Sequence, residues 1–340
     1  MRVTLKEIAK KANVSRMTVS RVFSGSHKVS QEKQELIKQI ASEMGYHPDL
    51  IARSLSCRKS MTIGVFMPKT KNAFLDIYIA QILSGITDVL QNNDYRIMFF
   101  PFNYDESQED LYYSIAKSRL VDGIILLKTR VDDPGLARLA KSDFPFVLIN
   151  HKKYADKYNF VDARNVEGSI LAIEHFYKLG HRKVAFIAGT MDETNAIDRF
   201  RGYKDALKEF GLPYKKEWII NGEFSKDRAF QESAKLFELK SRPTAVFCSD
   251  DYMAIGLMEQ LKLKGMRVPE DVSVIGFDDI ELASYVKPAL TTISQPMYQI
   301  GRRSAELLFD LINGVQKSPV YELLDVKLVV RDSTAVIKKS

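Results

Sequence analysis

The sequence predicts an N-terminal all-α helix-turn-helix module followed by two doubly wound, parallel-sheet α/β subdomains. Three observations carry this. Up to about residue 48, apolar residues recur every three or four positions, the period of short amphipathic helices. From residue 61 the pattern changes to unbroken apolar runs of strand length that alternate with helical stretches. Charge divides at the same place. The chain holds 50 Lys+Arg and 43 Asp+Glu, of which 12 and 5 fall in residues 1–60, leaving 38 of each beyond. All of the excess positive charge sits in the first sixth of the chain, the electrostatic footprint of a nucleic-acid-binding module.

Thr4 is the predicted N-cap of a first helix that starts at Leu5 and sets Leu5, Ile8, Ala9 and Ala12 on one face. Asn13 follows where the chain must turn sharply, and Asn tolerates a left-handed backbone. Ser15 caps a second helix, whose Val19 and Val22 point inward with Val14. A third helix behind Ser30 is expected to bury Leu36, Ile37, Ile40 and Met44. Two helices joined by a tight turn make a helix-turn-helix. The outer face of the second carries Arg16, Met17, Thr18, Ser20 and Arg21, types that reach phosphates and base edges in a major groove. A merely solvated basic face is the plainer alternative, and the confinement of the charge argues against it.

His47-Pro48 ends the third helix, because proline disfavours helix in the residue before it. Ile51–Ser56 is long enough for one or two helical turns, too short to be stable alone. Strands are then expected at 62–67, 96–100, 123–127, 146–149, 160–161, 183–187, 218–220, 244–248, 272–277 and 291–293, with return strands within 321–330. About eleven strands exceed one six-stranded unit, so two subdomains are expected. The division reads as a DNA-binding domain at 1–48, a hinge at 49–60 and a ligand-binding and dimerisation domain at 61–340. Within the last, subdomain one takes about 61–162 and 290–320, and subdomain two about 163–289 and 321–340.

Two cysteines, Cys57 and Cys248, are too few for a disulfide framework. The N-terminus has no signal-peptide pattern, and no apolar run approaches the roughly 18 residues that span a bilayer. A cytoplasmic, nucleoid-associated protein with no membrane partner is expected. His175, His181 and Glu174 form no metal or catalytic constellation, His151 stands alone, and no P-loop or dinucleotide fingerprint is present. No catalytic residue, metal or cofactor is expected.

The strings TLKEIAKKANVSRMTVSRVFSG, YHPDLIARSL, LGHRKVAFIAG, DRFRGYKDAL, RPTAVFCSDDYMAIGL, VPEDVSVIGFDD and KPALTTISQP follow one another along the chain. In this order they resemble the lactose-repressor (LacI/GalR) family of bacterial transcription regulators, over essentially the full length. The resemblance implies a periplasmic-binding-protein-like form and a homodimer on two-fold double-stranded operator DNA. It also implies a small molecule that sets DNA affinity. It places Leu55 as a wedge in the central base step, and Arg53 beside it is suited to a phosphate contact. One departure is Asp49, where the family usually has Asn, and a carboxylate there is unfavourable near phosphates.

Arg199 matches the family's effector-binding arginine, and its fork suits vicinal hydroxyls or a carboxylate. Asp250 and Asp278, each the first of an acidic pair after a strand, match cleft-facing positions; Asp251 and Asp279 are the better cap candidates. Phe74 and Phe224, otherwise ordinary core residues, match aromatics that pack on the ligand's apolar face. Asn72, Tyr104 and Asn150 offer polar contacts from the first subdomain, and Asp162 and Asn165 lie near a crossover. Paired carboxylates favour a carbohydrate effector over a purine or nucleobase, the runner-up. A sugar-binding transport protein, or a sugar- or nucleotide-modifying enzyme, fits less well, given the basic N-terminal module and the missing catalytic constellation.

Overall fold

The computed structural model describes residues 3–23, 29–46, 59–69, 76–103, 110–151, 157–316 and 319–337. Three helices, α1 (Leu5–Lys11), α2 (Arg16–Phe23) and α3 (Gln31–Glu43), form the N-terminal unit. The Thr4 N–H and hydroxyl both donate to the Glu7 carboxylate, at 2.7 and 2.9 Å, and fix the start of α1. Asn13 takes a left-handed φ of 48°, as the tight turn requires. The Ser15 hydroxyl accepts from the Thr18 N–H at 3.0 Å and caps α2. Ile8, Ala9, Ala12, Val19, Val22, Ile37, Ile40 and Ala41 close a small core. Leu36 departs from expectation: it is 47% exposed. Ile37, Ile40, Ala41 and Met44 share one helical stripe at spacings of three, four and seven, which leaves Leu36 about 100° off it.

The first sheet is built from β1 (Thr62–Pro68), β2 (Arg96–Phe102), β3 (Gly123–Leu127), β4 (Phe146–Ile149), β5 (Phe160–Ala163) and β11 (Tyr321–Leu324). Its order is β11-β5-β4-β3-β1-β2, parallel throughout. The second holds β6 (Val184–Ala188), β7 (Ile219–Asn221), β8 (Ala245–Cys248), β9 (Ser273–Asp278), β10 (Thr291–Ser294) and β12 (Lys327–Val329). Its order is β12-β10-β9-β8-β6-β7, parallel except for β12 on β10. The strands β1, β3, β4, β5, β6, β8 and β9 are buried from end to end. Helices cover both faces, which explains why these strands read as unbroken apolar runs.

The helices that matter for the site are α4 (Ile77–Asn92), α7 (Asn165–Lys178), α8 (Thr194–Glu209), α9 (Lys226–Ser233), α10 (Asp251–Leu263) and α12 (Met297–Ile312). Between them in chain order come α5 (Leu111–Ser118), α6 (Pro134–Ala140) and the short α11 (Leu282–Tyr285). After α9 the chain continues into a short 3-10 turn, Ala234–Phe237.

The chain crosses between the sheets three times, and each crossing falls later than the expected 162, 290 and 320. β10 pairs with β9 in the second sheet, before α12 returns to the first. β11 pairs with β5 in the first sheet, not in the second as the assignment of 321–340 required, and the last crossing lies between β11 and β12. These return strands are three or four residues long. Nothing in so short a run names its partner; open sheet edges do.

α12 docks on the first subdomain by lying against α4 at backbone contact. A Cβ on Gly85 would sit 2.0 Å from the Tyr298 carbonyl oxygen, and one on Gly301 would sit 2.0 Å from that of Ile82. No side-chain rotation relieves either clash. Gly85→Ala is therefore expected to destabilise the full-length chain by about 2–3 kcal/mol, the upper part of the overpacking range. Urea unfolding reads this as a lower midpoint, and an unchanged midpoint would mean the two helices do not pack backbone to backbone.

Candidate functional site

The carboxyl ends of the two sheets face each other, the usual place for a ligand in this architecture. From the first subdomain come Lys128 after β3, Asn150 after β4, Asp162 within β5, and Asp76 and Tyr78 at the start of α4. From the second come Asn195 and Arg199 on α8, Phe224 after β7, Asp250 after β8, Tyr252 on α10 and Asp278 at the end of β9. Asp76, Tyr78, Lys128, Asn195, Arg199, Phe224, Asp250, Tyr252 and Asp278 line one small cavity.

Arg199 is 2% exposed. It lies inside α8, in the turn after Thr194 and Asn195. Its Nε donates to the Asn165 side-chain oxygen at 2.8 Å, and one terminal nitrogen donates to the Ser249 carbonyl. The same nitrogen stands 3.4 Å from the Asp278 carboxylate. The guanidinium carbon lies 3.7 Å from the centre of the Phe277 ring, which supports its flat face. This partner set fixes the fork toward the cleft.

Asp250, not Asp251, caps α10: its carboxylate accepts from the Met253 N–H at 2.7 Å. Asp251 is wholly buried, accepting from the Ile280 N–H at 2.9 Å and from the Thr292 hydroxyl. The roles expected of this pair are thus reversed in part; the first member both caps and faces the cavity. Asp279 pairs with Arg331 at 2.6 Å. Asp278 accepts from the Gln295 side chain and holds a left-handed φ of 120°. Burial pushes Asp278 up to about 7, against the pull of Arg199, and pushes Asp250 up to about 6. Asp162 is likewise raised, mainly by burial, to about 7.

Phe224 also sits in the left-handed region, at φ 54°, with its ring against Gly189, where a Cβ would fall 2.2 Å from the ring edge. Lys128, at φ 55°, projects its ammonium over the Tyr78 ring at 5.3 Å and the Phe224 ring at 5.9 Å, linking the two subdomains. Burial disfavours its charge, yet the carboxylates of Glu193, Asp76, Asp278 and Asp250 raise its pKa above the ordinary lysine value.

Other links close the cleft. Arg130 of the first subdomain pairs with Asp192 of the second at 2.9 Å. The Val131 N–H donates to the Asp192 carbonyl at 2.8 Å, and the Thr194 hydroxyl donates to the Asn150 carbonyl. Asn150, buried and left-handed at φ 62°, gives its amide to the Tyr78 hydroxyl. The remaining cavity is about 50 Å³. Pockets for small molecules run to about 300–1,000 Å³, so ligand entry requires the subdomains to part. Buried polar atoms without a protein partner gather at this level: Asp162 Oδ2, Ser249 Oγ, Gln295 Oε1 and Glu193 Oε2. Such atoms are costly unless something bonds them.

The sequence therefore found Arg199, Phe224, Asp250 and Asp278, which line the cavity, and Asn150 and Asn165 beside it. It missed Asp76, Tyr78, Lys128, Asn195 and Tyr252. Lys128 follows a buried strand directly, as Asp250 and Asp278 nearly do, and that signal was available. Asn72, Phe74 and Tyr104 lie outside the described residues, as do Arg53 and Leu55. In the N-terminal unit, Arg16, Met17 and Arg21 are exposed, Met17 by 62%, while Thr18 and Ser20 are half-buried. The Ser15 and Thr18 hydroxyls bond each other at 2.9 Å, and Thr4 is occupied by Glu7. No group of metal-binding side chains occurs among the described residues.

Residues 4–49 match the model of the bacterial regulatory proteins of the lacI family, and residues 173–334 match the periplasmic binding protein-like domain. The chain is 33% identical over 336 residues to the transcriptional repressor PurR of Vibrio vulnificus, covering 98% of this chain and 99% of that one. Its fold follows the Lac repressor dimer bound to operator and the anti-inducer ONPF, with TM-score 0.86 at 26% identity over 98% of this chain and all of that one. The transcriptional regulator CelR in complex with cellobiose is also similar: TM-score 0.76 and 31% identity, over 98% of this chain and all of that chain.

Burial makes the Asp278 carboxyl a pH-sensitive element of stability. Its folded value of about 7 stands above the ordinary 3.8. The stability tied to its proton is fully present below about pH 4 and is lost as pH rises through about 7. Asp278→Asn removes that loss. The variant is expected to gain on the order of 1 kcal/mol relative to wild type between about pH 5 and pH 8. Thermal melts of both proteins at the two values measure it; a pH-independent difference would mean Asp278 stays ionised throughout.

Proposed function

Because the chain belongs to the lacI family of bacterial regulatory proteins, we propose that it is a transcriptional repressor whose hold on operator DNA is set by a sugar in the cleft. The observation that carries the sugar reading is Arg199, paired with Asp278, sharing one cavity with the carboxylates of Asp250 and Asp76 at the mouth of both sheets. Carboxylates accept hydroxyl protons in pairs, and a guanidinium donates to hydroxyl oxygens; a polyol satisfies both at once. Phe224, Tyr78 and Tyr252 supply apolar faces for the C–H side of a sugar ring. These three rings are also what favours a nucleobase as the second reading, and the similarity to a repressor named PurR points the same way. A base offers fewer hydroxyl donors to the carboxylates, so the sugar stands first.

On the DNA side, α2 offers Arg16, Met17, Thr18, Ser20 and Arg21 to the major groove, with Ser15 at its N-terminus and Thr4 at that of α1. The hinge, with Arg53 and Leu55, would read the centre of the operator from the minor groove. A homodimer belongs to the same reading, since a two-fold operator calls for two recognition helices. Leu282 and Tyr285, exposed by 40% and 66% beside a groove that includes Met258 and Val286, offer an apolar face for the second copy. Among the described residues no helix is long and apolar enough to cross a membrane; we place the protein in the cytoplasm, on the nucleoid. It acts by binding, not by catalysis.

Effector and operator would be coupled through the cleft. A ligand shifts operator affinity only by its differential affinity for the two arrangements of the subdomains. Arg199→Gln keeps a polar side chain but shortens it and removes the charge and the guanidinium fork. We expect it to weaken the sugar by about 2–5 kcal/mol, the cost of breaking a buried charged pair. Operator affinity without sugar should stay as it was. Operator binding followed by fluorescence anisotropy across a sugar titration reads both, and retained response at wild-type sugar concentrations would remove Arg199 from the site.

A further inference from the structure

Both cations of the cleft are already engaged. The Arg199 guanidinium stands 3.4 Å from the Asp278 carboxylate, and the Lys128 ammonium stands 3.6 Å from that of Asp76. Acid outnumbers base around them. Asp76, Asp250 and Asp278 line the cavity against Lys128 and Arg199, and buried Asp162 and Glu193 stand behind, near enough to feel those two cations. Arg130, the next cation outward, is matched by Asp192. Burial raises Asp278, Asp250 and Asp162 into the range of about 6–7, and neighbouring carboxylates add to the rise at Asp278. Asp162 Oδ2, on a fully buried side chain, has no protein partner, so a further acceptor with nothing to receive already sits at this level.

We propose that the effector is a sugar without an acid group, and that Lys128 is a clasp between the subdomains rather than a receptor for an anion. This rests on the sugar reading given above. A carboxylate or phosphate entering the cleft would have to take Lys128 from Asp76 or Arg199 from Asp278. Either exchange leaves a buried carboxylate unpaired beside the newcomer, the costly arrangement for like charges at low dielectric. Hydroxyl groups make no such demand. Each one donates to a carboxylate and accepts from the ammonium or the guanidinium, and the existing pairs persist. Lys128 is suited to a clasp by its place. It springs from the first sheet, sits over Tyr78 of its own subdomain and Phe224 of the other, pairs with Asp76, and lies in the field of Glu193, Asp250 and Asp278 of the second subdomain.

The test uses the full-length protein and matched sugars: glucose, galactose and mannose, each with its uronate and its 6-phosphate, and cellobiose with its aldobionic acid. Titration calorimetry gives each affinity. For the skeleton that binds, the neutral member is expected to be tighter than its acid or phosphate by about tenfold or more, a difference of about 1.4 kcal/mol. An acid or phosphate that binds as tightly as its neutral parent would overturn the proposal and leave the sugar reading standing. Binding by a nucleobase with no sugar bound would overturn the sugar reading itself, and the proposal with it. A variant adds an independent arm. Asp76→Asn keeps a side chain able to cap α4, where Asp76 accepts from the Tyr78 N–H at 3.0 Å, but frees Lys128 of one carboxylate. In this variant the discrimination against the acid member should narrow by about threefold or more. Unchanged discrimination would mean that Lys128 is not held by the charge of Asp76.

Discussion

A guanidinium that is 2% exposed persists only where its hydrogen bonds and its charge are answered inside the protein. Arg199 meets that condition through Asn165, the Ser249 carbonyl, Asp278 and the face of Phe277. The four partners come from α7, the end of β8 and the end of β9. Their strands lie side by side in the second sheet, because β8 pairs with β9 and with β6. The parallel order of the sheet thus exists, functionally, to bring these ends together. Asp278 sits in a strained conformation at φ 120° and is held there by Gln295 and Arg199. Strain of this kind survives where the surroundings over-determine it, and it is concentrated at binding sites.

The first subdomain answers from the opposite side with Lys128, Tyr78 and Asp76. Contacts across the gap, Arg130 with Asp192 and Thr194 with the Asn150 carbonyl, keep the two halves together around a cavity of about 50 Å³. Three chain crossings join the halves, so a hinge is the natural motion, and the same links that close the cleft must be exchanged for ligand contacts when it takes up an effector. Rotation of one half against the other would alter the spacing of two N-terminal units in a dimer. In the proposed function, a local exchange of hydrogen bonds would reach DNA by this rotation, with no change required inside the helix-turn-helix itself.

Much of this was legible in the chain. The N-terminal unit rests on local chemistry: Thr4 with Glu7, Asn13 at the turn, Ser15 under α2. The buried strands announce themselves because parallel sheets are covered on both faces. What could not be read is set by tertiary pairing. β10 and β11 are too short to carry a pattern, and only the free edges beside β9 and β5 decide where they go. Leu36 was misplaced by counting an apolar residue as core when it falls off the helical stripe. At the site, Arg199, Asp250 and Asp278 were found by their motif and by their place near strand ends. Asp76, Tyr78 and Tyr252 belong to helix starts whose approach to the cleft depends on the closing of the two halves. Asp250 and Asp251 exchanged part of their expected roles because Asp251 is taken into the interior, where the Thr292 hydroxyl of β10 and the Ile280 N–H donate to its carboxylate.

In the proposed function, one small molecule in this cleft and one DNA duplex on α2 are coupled because each binds the two arrangements of the subdomains unequally. Linkage makes this testable without knowing the structural path. Affinity of the bound sugar would be measured by calorimetry for the free protein and for the protein saturated with an operator selected from random duplexes. Operator affinity would be measured with and without saturating sugar. The two ratios must be equal and different from one, by about 5- to 150-fold for ordinary coupling. A sugar whose affinity is the same on and off DNA, however tightly it binds, would mean that cleft and operator are not coupled.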